Sequence, residues 1–143
     1  METRTISEEY NQIGRELIET EPELVDILNS RATIIFLGSN KKKMEKGKTV
    51  FAECEKISDK YKWGIPADFT ITVFEPNVAE FTPRQMRILL FHELLHVGIE
   101  YTDAGEKYTT NPHDLEDFKL IIERFGARWA EIDTSEEEGK EWT

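Results

Sequence analysis

Residues 82 to 99 constrain the fold of this chain more than any other stretch. Thr82-Pro83-Arg84-Gln85 is a complete helix start. Thr82 is expected to cap, Pro83 to take the first helical position, where its missing N–H costs little, and Gln85 to close a capping box. The helix is expected to run to about Val97 or Ile99, with Gly98 weakening its end. Leu89, Leu90, Leu94, Leu95 and Val97 give it enough apolar surface to be buried. Within it, His92-Glu93-Leu94-Leu95-His96 matches the pattern H-E-x-x-H. Side chains four apart on a helix stack on one face, so two imidazoles can reach one metal ion. Glu93 sits beside that face, placed to take a proton from metal-bound water rather than to bind the metal.

The chain contains three histidines, and the third is His113. A catalytic zinc site takes three protein ligands and keeps a fourth position for water. His113 completes the set if the segment 96–113 brings the last helix back across the motif helix. Asp114, Glu116 and Asp117 are rival third ligands. Asp117, one turn after His113, is also placed to accept a hydrogen bond from an imidazole and orient it. Nothing after His96 offers the extended histidine spacing of metzincins, and no methionine follows Met86. Tyr101 and Tyr108 are candidate oxyanion donors, although packing or surface roles weigh more. The competing reading of the motif is that His92 and His96 are ordinary, partly exposed helix residues.

The rest of the chain supplies the frame. Residues from about Ser7 to Ser30 look helical, with Ile13, Leu17, Leu24 and Leu28 near one face and Pro22 interrupting. Thr20 can cap a second short helix that has Pro22 in its first turn. Ala32 to Leu37 reads as a strand. Gly38 to Gly47 reads as a hairpin tip whose Lys41, Lys42, Lys43 and Lys46 are mainly solvated, with recruitment of an acidic substrate as the minor alternative. Lys48 to Glu55 alternates like a half-buried strand, which makes Cys54 a small core residue. Ile57 to Trp63 reads as a short helix, and Asp68 to Phe74 as a third strand with Phe69, Ile71 and Val73 on one face. Asn111 is expected to cap the last helix, with Pro112 first and an apolar stripe of Leu115, Phe118, Ile122 and Phe125 ended by Gly126. Short connections favour a small three-stranded, mostly antiparallel sheet packed with the motif helix and flanking helices, an α+β fold.

With 143 residues the chain is expected to form one domain over 1–143, with an acidic, frayed tail from about 131 to 143. Its formal net charge of −11 disfavours nucleic acid and anionic membrane as partners. The lone Cys54 excludes an intramolecular disulfide. The N-terminus has no signal-peptide core, and no apolar run is long enough for a membrane helix. Cytoplasmic residence is the expectation.

The sequence resembles the putative phage metallopeptidase family from about Ile34 to Trp129. The resemblance rests on the lysine-rich hairpin Lys41–Lys48, the pair Asp68-Phe69, and the segment Leu89-Leu90-Phe91-His92-Glu93-Leu94-Leu95-His96. It extends to His113-Asp114-Leu115-Glu116-Asp117-Phe118, followed by Phe125-Gly126 and Trp129. More distantly the chain is similar to SprT-like (Spartan-type) proteases, whose third zinc histidine follows the active-site helix in a His-x-x-x-Phe-like setting. That favours His113, although the aromatic here comes later. The basic DNA-binding equipment of the Spartan type is missing, so crosslink repair is not carried over. The resemblance implies a zincin-like domain holding Zn²⁺ on His92, His96 and His113, with Glu93 as general base for peptide hydrolysis. A peptide or protein is the implied substrate, and the cytoplasm of a bacterial host the implied setting. The alternative is a non-catalytic, zinc-stabilised phage or prophage protein that binds a host factor. One strand edge, with Asp68–Phe74 the candidate, is expected to align an extended peptide.

Overall fold

The computed structural model describes residues 1–113, 118–126 and 128–131. Ser7 caps the first helix, α1 (Glu8–Thr20), by accepting from the Tyr10 amide at 3.1 Å. The helix ends because the next residues are Glu21 and Pro22. Glu21, not Thr20, takes the cap position of a 3-10 turn over Pro22–Leu24, while the Thr20 hydroxyl turns back to the Glu16 carbonyl. A short helix α2 (Val25–Leu28) follows. The tighter 3-10 turn resets the helical phase. Leu17 and Leu24 are therefore buried as expected, but Ile27 takes the inward place and Leu28 faces solvent.

Strands β1 (Arg4–Ile6), β2 (Ile34–Ser39), β5 (Ala52–Lys56) and β6 (Phe69–Phe74) form a four-stranded sheet in the order β1-β2-β6-β5. Between β2 and β5 lies a separate two-stranded hairpin, β3 (Met44–Glu45) with β4 (Lys48–Thr49), so Lys48 and Thr49 do not belong to the sheet strand. The sheet is mixed: β1 and β5 pair antiparallel with their neighbours, whereas β2 and β6 run parallel from Ile34↔Phe69 to Ser39↔Phe74. Pairing is mostly antiparallel, as expected, but the sheet has four strands rather than three and its central pair, β2–β6, is parallel. The six residues of β6 are all buried, Thr70 and Thr72 included. A strand buried on both faces belongs in the middle of a sheet. Being enclosed by β2 and β5, β6 has no free edge to offer a peptide, and the edge strands are β1 and β5.

Helix α3 (Pro83–Leu95) forms as its start signals require: Thr82 accepts from the Gln85 amide, and the Gln85 side chain accepts from the Thr82 amide at 2.9 Å. It packs against α1, β5 and helix α4 (Lys119–Phe125). Ile88, Leu90, Phe91 and Leu94 are fully buried, so α3 is an internal element rather than a surface one. Its end differs from expectation. The helix stops at Leu95 with His96 as cap, and the chain turns at once into β7 (Val97–Thr102), which pairs with β8 (Gly105–Thr110) as an antiparallel hairpin. Val97, Ile99 and Tyr101 are strand formers, and Gly98 lets the hairpin close: a Cβ there would overlap Thr109 Oγ1.

The last helix is shorter at its start than expected. Asn111, Pro112 and His113 are non-helical, and Phe118 immediately precedes α4. Ile121 and Phe125 face the core, and Gly126, at φ 90°, ends the helix as its sequence implies. Leu115 and the acidic tail beyond residue 131 lie outside the described residues. The stretch 57–63 contains only a 3-10 turn, Asp59–Tyr61. The fold is α+β, with four α-helices and mixed sheets among the described residues. No helix there is long and apolar enough to cross a membrane.

Candidate metal centre

His92 lies in the last turn of α3 and His96 at its cap. His113 reaches them because the β7–β8 ladder runs from Val97↔Thr110 to a two-residue turn and back. A hairpin returns its second strand to where the first began, and this one delivers residues 111–113 to the C-terminal end of α3. The Asn111 amide N–H donates to the His96 carbonyl at 2.7 Å, and its side-chain Nδ2 donates to the carbonyls of Leu95 and Val97 at 3.1 and 3.3 Å. Asn111 therefore clamps the junction instead of capping the last helix.

The three histidines each place a ring nitrogen within 4.8 Å of the others. His92 Nε2 and His113 Nε2 are 2.9 Å apart. A tetrahedral ion with bonds of about 2.0–2.1 Å to nitrogen holds its ligands roughly 3.4 Å apart, so shifts of an ångström or so bring this cluster to metal geometry. The tautomer of His96 also fits. Its Nδ1 lies 2.7 Å from the Asn111 carbonyl oxygen, which can only accept. In a neutral ring the proton then sits on Nδ1 and the Nε2 lone pair is available to a metal, the arrangement usual for a ligating imidazole. Three neutral imidazoles are a donor set suited to zinc and to neighbouring divalent ions. The residues fit a metal ion. Of the rival ligands, Asp114, Glu116 and Asp117 lie outside the described residues.

Glu93 is 5% exposed, with Oε2 3.9 Å from His92 Nε2. It stands beside the cluster, outside the set of three histidines. On its side lies a small cavity of ≈130 Å³ lined by Phe51, Ala52, Leu89, His92, Glu93 and Trp129. Cys54, half-buried on the same strand as Ala52, has its thiol pushed up strongly by burial and by the Glu93 charge, which keeps it a protonated packing residue.

Two aromatic residues have site positions that helical patterning did not identify. The Phe118 ring lies 5.4, 4.9 and 5.1 Å from the rings of His92, His96 and His113. It packs against one side of the cluster. Trp129 is buried 6.3 Å from the His92 ring, and its carbonyl accepts from Gln85 Nε2 at 3.0 Å. Gln85 thus ties the start of α3 to the cavity wall. Sequence placed Phe118 in the apolar stripe of the last helix, and both residues in or just after the resembling block, with nothing that pointed to the histidines. The tyrosines are occupied elsewhere. Tyr101 donates to the Asp26 carbonyl at 3.1 Å, and Tyr108 donates to Glu106 at 2.7 Å while its ring packs edge-on against Phe69.

The sequence model described as putative phage metallopeptidase matches residues 3–136. No curated protein and no solved structure matches the chain.

Proposed function

The chain belongs to the putative phage metallopeptidase family, and we propose that it is a zinc-dependent peptidase acting through His92, His96, His113 and Glu93. The observation that carries this reading is the convergence of three imidazoles beside one buried carboxylate. In it, residues 1–143 form a single zincin-like domain whose substrate is a peptide or protein, and the host cytoplasm is where it works.

His92, His96 and His113 hold the ion, with His96 oriented through Asn111. The bound ion supplies Lewis acidity to the scissile carbonyl and makes the attacking water more acidic. Glu93 accepts a proton from that water as its oxygen bonds to the carbonyl carbon. The C–N bond then breaks, and Glu93 passes the proton to the departing amine. The low-dielectric setting of Glu93, walled by Phe51, Leu89 and Trp129, strengthens its interaction with the developing charge. Strand β5 is the edge beside the site and, in place of Asp68–Phe74, offers backbone groups to an extended substrate.

The test pairs metal analysis with turnover. The purified protein is expected to carry close to one zinc, lost in His92→Ala and His113→Ala. Glu93→Gln is expected to keep the metal and lose cleavage of a peptide library by roughly 10²–10⁴-fold. A metal-loaded wild type that cleaves nothing, and is indistinguishable from Glu93→Gln, would sink the peptidase reading and leave a zinc-stabilised binding protein.

A further inference from the structure

Five of the chain's 18 Lys and Arg residues fall within residues 41–48, against one acid, Glu45, in a protein of formal net charge −11. The structure gathers them on the β3–β4 hairpin and the segment leading into it. Its tip, Lys46-Gly47, has positive φ at both residues (51° and 77°), the backbone of a two-residue turn. Lys41, Lys42, Lys46 and Lys48 are exposed. Lys43 is used internally, pairing with Glu53 and lying over the Phe74 ring at 5.3 Å.

The base of this hairpin is pinned. Asn77 Nδ2 donates to the carbonyls of Lys43 and Val50 at 2.9 and 2.7 Å, and the Val50 amide donates to the Lys43 carbonyl at 3.1 Å. Lysines on a freely solvated loop would point nowhere in particular, whereas these project from a fixed mount. That mount is continuous with the candidate site. Phe51, two residues after Thr49 and so roughly 7 Å of extended chain away, lines the cavity beside His92 and Glu93. The edge strand β5 starts at the next residue.

From this we infer that the β3–β4 hairpin is an electrostatic docking surface that recruits acidic segments of polypeptide substrates to the metal centre. The inference rests on the peptidase reading for its consequence, and on the hairpin alone for its binding. A peptide lying along β5 passes the hairpin base, and carboxylates beyond the scissile bond meet Lys46 and Lys48. Each exposed ammonium–carboxylate pair is weak. Several together concentrate and steer the ligand, acting on association more than on the chemical step. Nucleic acid is the less suitable polyanion, because its charge extends well past the hairpin onto a strongly acidic body.

The test uses the full chain carrying Lys42→Glu, Lys46→Glu and Lys48→Glu, and a second variant with Gln at the same positions. Binding is read in the Glu93→Gln background by fluorescence anisotropy with a labelled glutamate-rich peptide, its glutamine counterpart and an oligothymidylate. The expected result is salt-sensitive binding of the glutamate peptide alone, weakened roughly tenfold by the Gln variant and more by the Glu variant. With active enzyme, KM for acidic peptides rises and kcat holds. Equal binding by parent and variants overturns the docking surface even if peptides are cleaved, and so does tighter binding of the oligothymidylate. Hairpin-dependent peptide binding without any cleavage retains the surface and rejects the peptidase reading.

Discussion

At the residue scale one asparagine ties the candidate site together. In a neutral His96 ring the Asn111 carbonyl holds the proton on Nδ1, which leaves the Nε2 lone pair available to a metal. That carbonyl is held in turn by the side chain's bonds to Leu95 and Val97. Asn111→Ala keeps the carbonyl and removes the clamp. It is expected to weaken zinc affinity by roughly 10–100-fold, as loss of an outer hydrogen bond on a ligating imidazole does. Competition with a chromophoric chelator measures this. Unchanged affinity would mean that backbone pairing alone positions His96. The H-E-x-x-H residues were legible because they lie on one helix, where spacing dictates facing. The Asn111 clamp was not, since its partners are carbonyls, which every residue carries.

At the scale of elements, the β7–β8 hairpin brings the third histidine to the other two. Read from sequence, residues 97–99 continue the motif helix. In the structure they leave it and pair with 108–110. Gly98 is the narrow point, with Thr109 Oγ1 and, at 2.9 Å, Asn111 Oδ1 in the space a Cβ would occupy. Gly98→Ala is expected to cost about 1–3 kcal/mol, the usual range for overpacking, and to lower metal affinity as well, because the displaced strand carries Asn111 and His113. Urea unfolding with and without zinc separates the two effects. A variant with wild-type stability and affinity would show that the hairpin has room to adjust. The start of α3 was readable to the residue because capping is local chemistry. Its end was not, because it depends on a strand contributed from further along the chain.

For the whole molecule, two dependences on conditions follow. A metal that binds only the folded chain stabilises it, by about 2.7 kcal/mol when free metal is a hundred times Kd. Zinc is therefore expected to raise Tm and a strong chelator to remove the gain. His113→Ala should abolish the difference, and a Tm indifferent to both would argue against the centre. The second dependence is alkaline. Burial, the bond to Glu106 and the nearby Asp68 charge push the Tyr108 phenol up from 10.0 to about 12. Burial and its bond to Glu75 raise Tyr10 as well. Between these values the unfolded chain has released protons that the folded chain retains. The stability these phenols contribute is intact below pH 10 and falls as pH rises from about 10 to 12. Denaturant midpoints across that interval check the sign, and Tyr108→Phe should flatten the decline.

What the sequence determined on its own is whatever chemistry lies within one turn or one strand. That covers the capped start of α3, the shared face of His92 and His96, the carboxylate of Glu93 between them, and the burial of Phe69, Ile71 and Val73. Tertiary structure decided the rest. The central place of β6 follows from how much surface it must bury, and it leaves β5 as an edge strand. The meeting of His113 with His92 follows from a ladder between residues up to 13 positions apart, Val97 and Thr110. Local signals are set by steric and hydrogen-bonding rules over a few residues. A histidine cluster assembled from a helix end and a returning strand requires closure of a loop, and whether that closure is favourable depends on the surfaces it brings into contact.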